Sequence, residues 1–359
     1  MLAVKALSAT YPNQEVLAVS NSGTSGSTIS VYQFTAAGIG TRYTNPSYNA
    51  GAGSSAVAFN SLGNTIALGA NGSLSTIIST TAIVQAWQWS KTGFGTQYSD
   101  PVSVPFAAYG NTNSCTGIAF TNANNAVAVT SNVSPFIFVW AWSGAGFGSK
   151  FSDPSTLPTG TAFATAFTPT DNAIAVAHTT SPYISVYPWS GSGFGSKFSD
   201  PSTLPTGTGY GVAFSPSGDA IAVTHFNSPY ISVYPWSGSG FGSKFSDPST
   251  LPTGIGEGVA FSPSGDAIAV AHATSPRISV YPWSGSGFGS KFSNPSTLPT
   301  GDGNGVAFSK FGSAIAVAHT TSPYISVYPW SGAGFGTKYA NPSSLPSNIG
   351  TSVAFTECK

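Results

Sequence analysis

Apolar and polar residues alternate along this chain in short runs, and nowhere with the spacing of a helix. The run from Ala220 to His225 sets Ile221, Val223 and His225 on one face and Ala220, Ala222 and Thr224 on the other. That period of two is the mark of a strand packed between neighbouring sheets. Before it lies a shorter apolar run, Gly211 to Phe214, closed by a Ser-Pro-Ser-Gly-Asp turn, which suits a buried inner strand. A third alternating run, Tyr230 to Trp236, leads into a glycine-rich hairpin and a fourth strand, and a Pro-rich stretch starts the next unit.

This four-strand unit recurs. Phe120, Phe167, Phe214, Phe261, Phe308 and Phe355 follow one another at intervals of 47 residues, with Phe59 a further 61 upstream. Repetition at that period indicates a propeller or solenoid, and four antiparallel strands per unit make a propeller blade. Pairing second with third strands, from Leu17 with Val31 to Ile315 with Ile325, gives seven blades. The expected fold is therefore all-β, a seven-bladed β-propeller of four-stranded antiparallel blades, with residues 1–359 as one domain. Inner-strand motifs occur at both ends of the chain, and the segment around Val353 to Phe355 is expected to complete the first blade and close the ring.

The turns Phe214 to Asp219 and Phe261 to Asp266 resemble the Phe-Ser-Pro-Asp-Gly turn of the WD-repeat superfamily, although the Gly-His and Trp-Asp dipeptides of that family are missing. Gly305 to Phe308, Ala316 to His319 and Ser322 to Tyr328 are similar to the propeller repeats of bacteriophage and prophage proteins. The second resemblance implies a virion-associated role.

Charge sharpens that expectation. Only 6% of residues are charged, with 11 basic balancing 11 acidic, where ordinary soluble proteins carry about a quarter. No basic patch is present to neutralise phosphates, so nucleic acid is not an expected partner. No apolar run approaches the roughly 20 residues of a membrane helix, and the first residues lack the apolar core of a signal peptide. A charge-poor surface without an export signal suits a virion component made in a host cytoplasm. Cys115 and Cys358 do not amount to a disulfide framework.

The residues able to carry chemistry repeat with the blades. His178, His225, His272 and His319 each end a second strand, and successive blades set them on an arc too wide to share a metal ion, so a structural role is expected. Asp100, Asp153, Asp200 and Asp247 precede proline where other blades carry Asn45, Asn294 and Asn341. Asparagine cannot act as an acid, so these positions read as turn formers. The glycine-rich GSGFGSK segment suits a hairpin better than a phosphate loop. Ring pairs such as Trp87 with Trp89 and Tyr234 with Trp236 suit packing between blades. Phe147, Phe194, Phe241, Phe288 and Phe335, in the hairpin turns, are candidate contacts for a repeated ligand or partner. The second blade has 14 extra residues in two connections. Asn71, Ser73, Thr76, Ser79 and Thr81 in the first, with Ser103, Asn111 and Asn113 in the second, are candidate docking residues.

An enzyme would need one asymmetric polar cluster in the central channel, and none is evident in the repeat. The expected function is thus a non-enzymatic phage virion structural protein, a capsid or tail appendage that docks onto other virion proteins and contacts the host surface. The alternative is a multivalent lectin-like propeller whose equivalent blade pockets bind host-surface glycans. No catalytic residue, cofactor or metal is expected.

Overall fold

The computed structural model describes residues 14–23, 28–46, 53–70, 83–102 and 114–357. Within them the alternating runs form seven antiparallel sheets and no helix. The inner strands contact one another in sequence around a ring, so the sheets are the blades of a propeller. The closing strand is Gly350–Glu357, which pairs antiparallel with Glu15–Asn21 and brings Val353 opposite Val19 and Phe355 opposite Leu17. The expected closure is therefore the observed one, while the other terminal segment, Met1 to Leu7, lies outside the described residues.

Alternation along the second strands explains how the blades adhere. In Ala220–His225 the large face, Ile221 and Val223, packs on Ala173, Ala175 and Ala177 of the fourth blade. The small face, Ala220 and Ala222, receives Ile268 and Val270 of the sixth. Each blade thus presents bulk to one neighbour and room to the other, and seven apolar cores form, one between each pair of blades. The ring pairs belong to these cores: Trp236 and Tyr234 are buried, with Trp236 edge to face on Phe198 at 5.2 Å and on Phe241 at 5.2 Å.

The fourth strand differs between blades for a definite reason. In blades one to three it is a strand, as in Gly146–Lys150 against Ile137–Ser143. In blades four to seven its ladder shrinks to one bridge each, such as Trp189↔Phe194. Here Pro188, Pro235, Pro282 and Pro329 stand where Gln33, Gln88 and Ala141 stand in the first three blades. Trp189 donates its N–H inward to Asn172, so the N–H that Pro188 lacks faces the outer strand. Proline is tolerated there and shortens the pairing.

One interblade contact departs from the repeat in a compensated way. Where blades four and five oppose Ala177 to Gly209, blades two and three oppose Gly69 to Cys115. A methyl group on Gly69 would lie 2.3 Å from the Cys115 sulfur, whose thiol is fully buried. Gly69→Ala will therefore destabilise by about 1–3 kcal/mol through overpacking, and adding Cys115→Gly will restore most of the loss. Urea unfolding of the two single variants and the double variant measures the coupling; additive effects would mean that the pair does not share its space.

Candidate functional site

Every inner strand carries the same irregularity near its start. The ladder slips by one residue between Gly256 and Gly258, between Gly303 and Gly305, and at the corresponding place in the other blades. The residue skipped in the pairing is a β-bulge, a device that re-aims a side chain out of the ladder. In blade six the close approach of the chains demands glycine ahead of the bulge: a Cβ on Gly256 would meet the Tyr230 carbonyl oxygen at 2.3 Å. The seven bulged residues are Ser55, Thr116, Phe163, Tyr210, Glu257, Asn304 and Thr351, and together they line a cavity of about 200 Å³ in the central channel. All seven are half-buried.

At these seven positions the repeat is not kept, and six residue types occur. Four of them lace the ring. Asn304 Nδ2 donates to the Gly350 carbonyl at 2.8 Å, Thr351 Oγ1 to Ser54 at 2.7 Å, and Thr116 Oγ1 to Ala162 at 2.6 Å. Ser55 donates in the same manner to the Cys115 carbonyl. Each of the four thereby ties its blade to the next.

The remaining three, Phe163, Tyr210 and Glu257, are consecutive and lace nothing. The rings of Phe163 and Tyr210 lie 5.0 Å apart, tilted by 48°. Burial pushes the Glu257 carboxyl up to about 7, and the negative charge of Asp302 adds to the rise. Burial, with the charge of Glu257 second, raises the Tyr210 phenol, which therefore stays protonated as a donor. Asp302 lies 3.8 Å from the Arg277 guanidinium, which donates to the Pro299 carbonyl at 3.3 Å. Arg277 itself stands where other blades carry Phe136, Tyr183, Tyr230 and Tyr324. In a chain so poor in charge, Glu257 on blade six is the one charged residue lining the cavity, with Asp302 near enough to act on it and Arg277 paired with Asp302 outside the lining.

The residues singled out by sequence are elsewhere. His178, His225, His272 and His319 are fully buried, each with Nε2 3.0 to 3.1 Å from the hydroxyl of Ser185, Ser232, Ser279 or Ser326 on the adjoining strand. Phe147, Phe194, Phe241, Phe288 and Phe335 are half-buried, with their rings edge to face on the tryptophans of the third strands at 5.0 to 5.3 Å. Asn71, Ser73, Thr76, Ser79, Thr81, Ser103, Asn111 and Asn113 lie outside the described residues, as does Cys358. Among the described residues no group of three or more His, Cys, Asp or Glu side chains could hold a metal ion.

No protein-family model matches the chain, and no curated protein matches it by sequence. Solved structures match its fold. A candidate 6-phosphogluconolactonase from Bacteroides uniformis is 13% identical, with TM-score 0.71 over 96% of this chain and 99% of that one. Another from Bacteroides fragilis is 12% identical, with TM-score 0.73 over 97% and 99%. The β-propeller domain of Cps50 (Swd1) from Myceliophteria thermophila is 13% identical, with TM-score 0.55 over 81% and 88%. At these identities the likeness is one of fold, a β-propeller with WD-like repeats.

The comparisons correct the expected function. Two of the matches that span nearly the whole chain bear an enzyme's name and none of those described is a phage protein, so the non-enzymatic virion reading, with its lectin alternative, is withdrawn. Its premise of a channel without asymmetry also gives way, because the bulged residues differ from blade to blade and Glu257 is the one charged residue among those lining the cavity. The shared repeat masks the bulged position, which differs in most blades. Setting the consensus aside and listing what remains would have exposed Glu257 between Gly256 and Gly258.

Proposed function

We propose that the channel mouth is the active site of a hydrolase acting on a small cyclic ester of the sugar-lactone class, with Glu257 as general base. The observation that carries this reading is the one carboxyl lining the cavity, half-buried so that its pKa is pushed up to about 7, at a bulged position outside the ring's hydrogen-bonded lacing. A base poised near the working pH is what general catalysis requires. Glu257 takes a proton from water as its oxygen attacks the lactone carbonyl. The Tyr210 hydroxyl and the second N–H of the Asn304 amide are the donors available to the developing oxyanion. The proton then passes to the departing ring oxygen, giving the open hydroxy acid. The fold shared with candidate lactonases supports the same choice of reaction.

The test is release of acid from glucono-δ-lactone, followed with an indicator dye and corrected for spontaneous hydrolysis. Because a base works only when deprotonated, kcat/KM will rise with pH through an apparent pKa of about 7, the value to which burial brings Glu257. No rate above background, or a rate without an inflection near that pH, would overturn the assignment.

A further inference from the structure

We infer that the substrate of this site is an uncharged sugar ring, stacked on Phe163 and Tyr210, and that phosphorylated sugars are excluded. The inference rests on the hydrolase reading for the reaction but on separate observations for the ligand. None of the residues lining the cavity is Lys, Arg or His. A phosphate group needs cationic or multiple N–H partners to replace its water. Here it would meet Glu257, with Asp302 close enough to raise that carboxyl further. Arg277 does not reverse this balance, since it faces Asp302 and donates to the Pro299 carbonyl. The half of the mouth beside Glu257 is instead aromatic, two rings 5.0 Å apart. Such a surface suits the apolar C–H face of a pyranose, while a hydroxyl on its rim donates to the carboxylate. A cavity of about 200 Å³ has room for one small ring and no more.

The four lacing residues show what the same position does without an aromatic ring. Ser55 and Thr116 occupy positions equivalent to Phe163 and Tyr210 and spend their hydroxyls on the next blade. A ring placed there forgoes that bond, and its presence in two successive blades is explained by what it touches in the channel. Since other blades carry Ser or Thr at the same bulge, Phe163→Ser is compatible with the fold.

Isothermal titration of the purified protein with methyl glucopyranoside, glucose 6-phosphate and glucosamine, alongside hydrolysis of glucono-δ-lactone and its 6-phosphate ester, separates the possibilities. The neutral glycoside is expected to bind at least about tenfold more tightly than the phosphate, and Phe163→Ser to weaken it by about tenfold with little change in Tm. Binding of the neutral glycoside without hydrolysis would leave this inference standing and remove the hydrolase. Faster turnover of the phosphorylated lactone would do the reverse. Tightest binding of glucosamine would identify an amine site built on the rings and the carboxylate, overturning the inference, and so would an unchanged affinity in Phe163→Ser.

Discussion

Glutamine at position 257 will lower lactone hydrolysis by about 10²- to 10⁴-fold and will erase the inflection near neutral pH. The side chain keeps its shape and loses the ability to take a proton, so the fall will be in kcat, with KM little altered. The fold should not suffer. Glu257 is skipped in the strand ladder, and its equivalents in other blades include Asn304 and Thr351. Above pH 7 the variant should be the more stable protein. Burial raises the folded-state pKa of this carboxyl, so its ionised form destabilises the native state at high pH, and glutamine removes that cost. A variant that loses activity only in proportion to a loss of folded protein would assign Glu257 a structural role. One that hydrolyses normally would move the base elsewhere.

Acid will unfold this protein over a window set by its four histidines. Burial lowers His178, His225, His272 and His319 from 6.5 to about 4. Each is fully enclosed with one nitrogen facing a serine hydroxyl. For His178 and His225 the other nitrogen meets a backbone carbonyl, Thr180 at 2.9 Å and Asn227 at 2.8 Å. Between pH 6.5 and 4 the unfolded chain therefore binds protons that the native state refuses, and stability falls as pH falls. Four such groups give a slope of at most about 5 kcal/mol per pH unit. Glu257, whose folded pKa is raised, binds a proton natively over part of this window and offsets one of the four. Urea unfolding at pH 7, 6 and 5 should show the midpoint dropping at each step. Replacing the four histidines with Asn, the residue at position 21 of the first blade, should flatten the dependence. An unchanged midpoint from pH 7 to 5 would mean that the imidazoles titrate as they do in water.

The sequence made the architecture legible and hid the site, and both outcomes come from repetition. Alternation of Ile and Val with Ala fixes which face of a second strand is bulky, and that asymmetry appears in the structure as Ile221 and Val223 against Ala173 and Ala175. The closing strand was readable because its Phe355 matches the phenylalanine that ends the inner strand of every other blade, with Val353 two residues before it as in most of them. Glu257 was not readable by the same means. It lies between glycines in a segment too short to show periodicity, and the bulge that turns it into the channel arises from pairing with a second strand. The shortened outer strands were visible in principle, since Pro188 and its counterparts lack the N–H that a full ladder requires.

The bulge has a consequence for how such a protein changes over time. A residue outside the ladder that makes no bond to the next blade, as at Phe163, Tyr210 and Glu257, can be exchanged without disturbing the cores between blades or the lacing of the ring, so mutations there escape much of the folding penalty that restrains the rest of the sequence. With three such positions in successive blades, the chain resembles a lock whose pins can be recut singly while the barrel stays the same. New substrate preferences could arise by single steps, each tested by selection on chemistry alone.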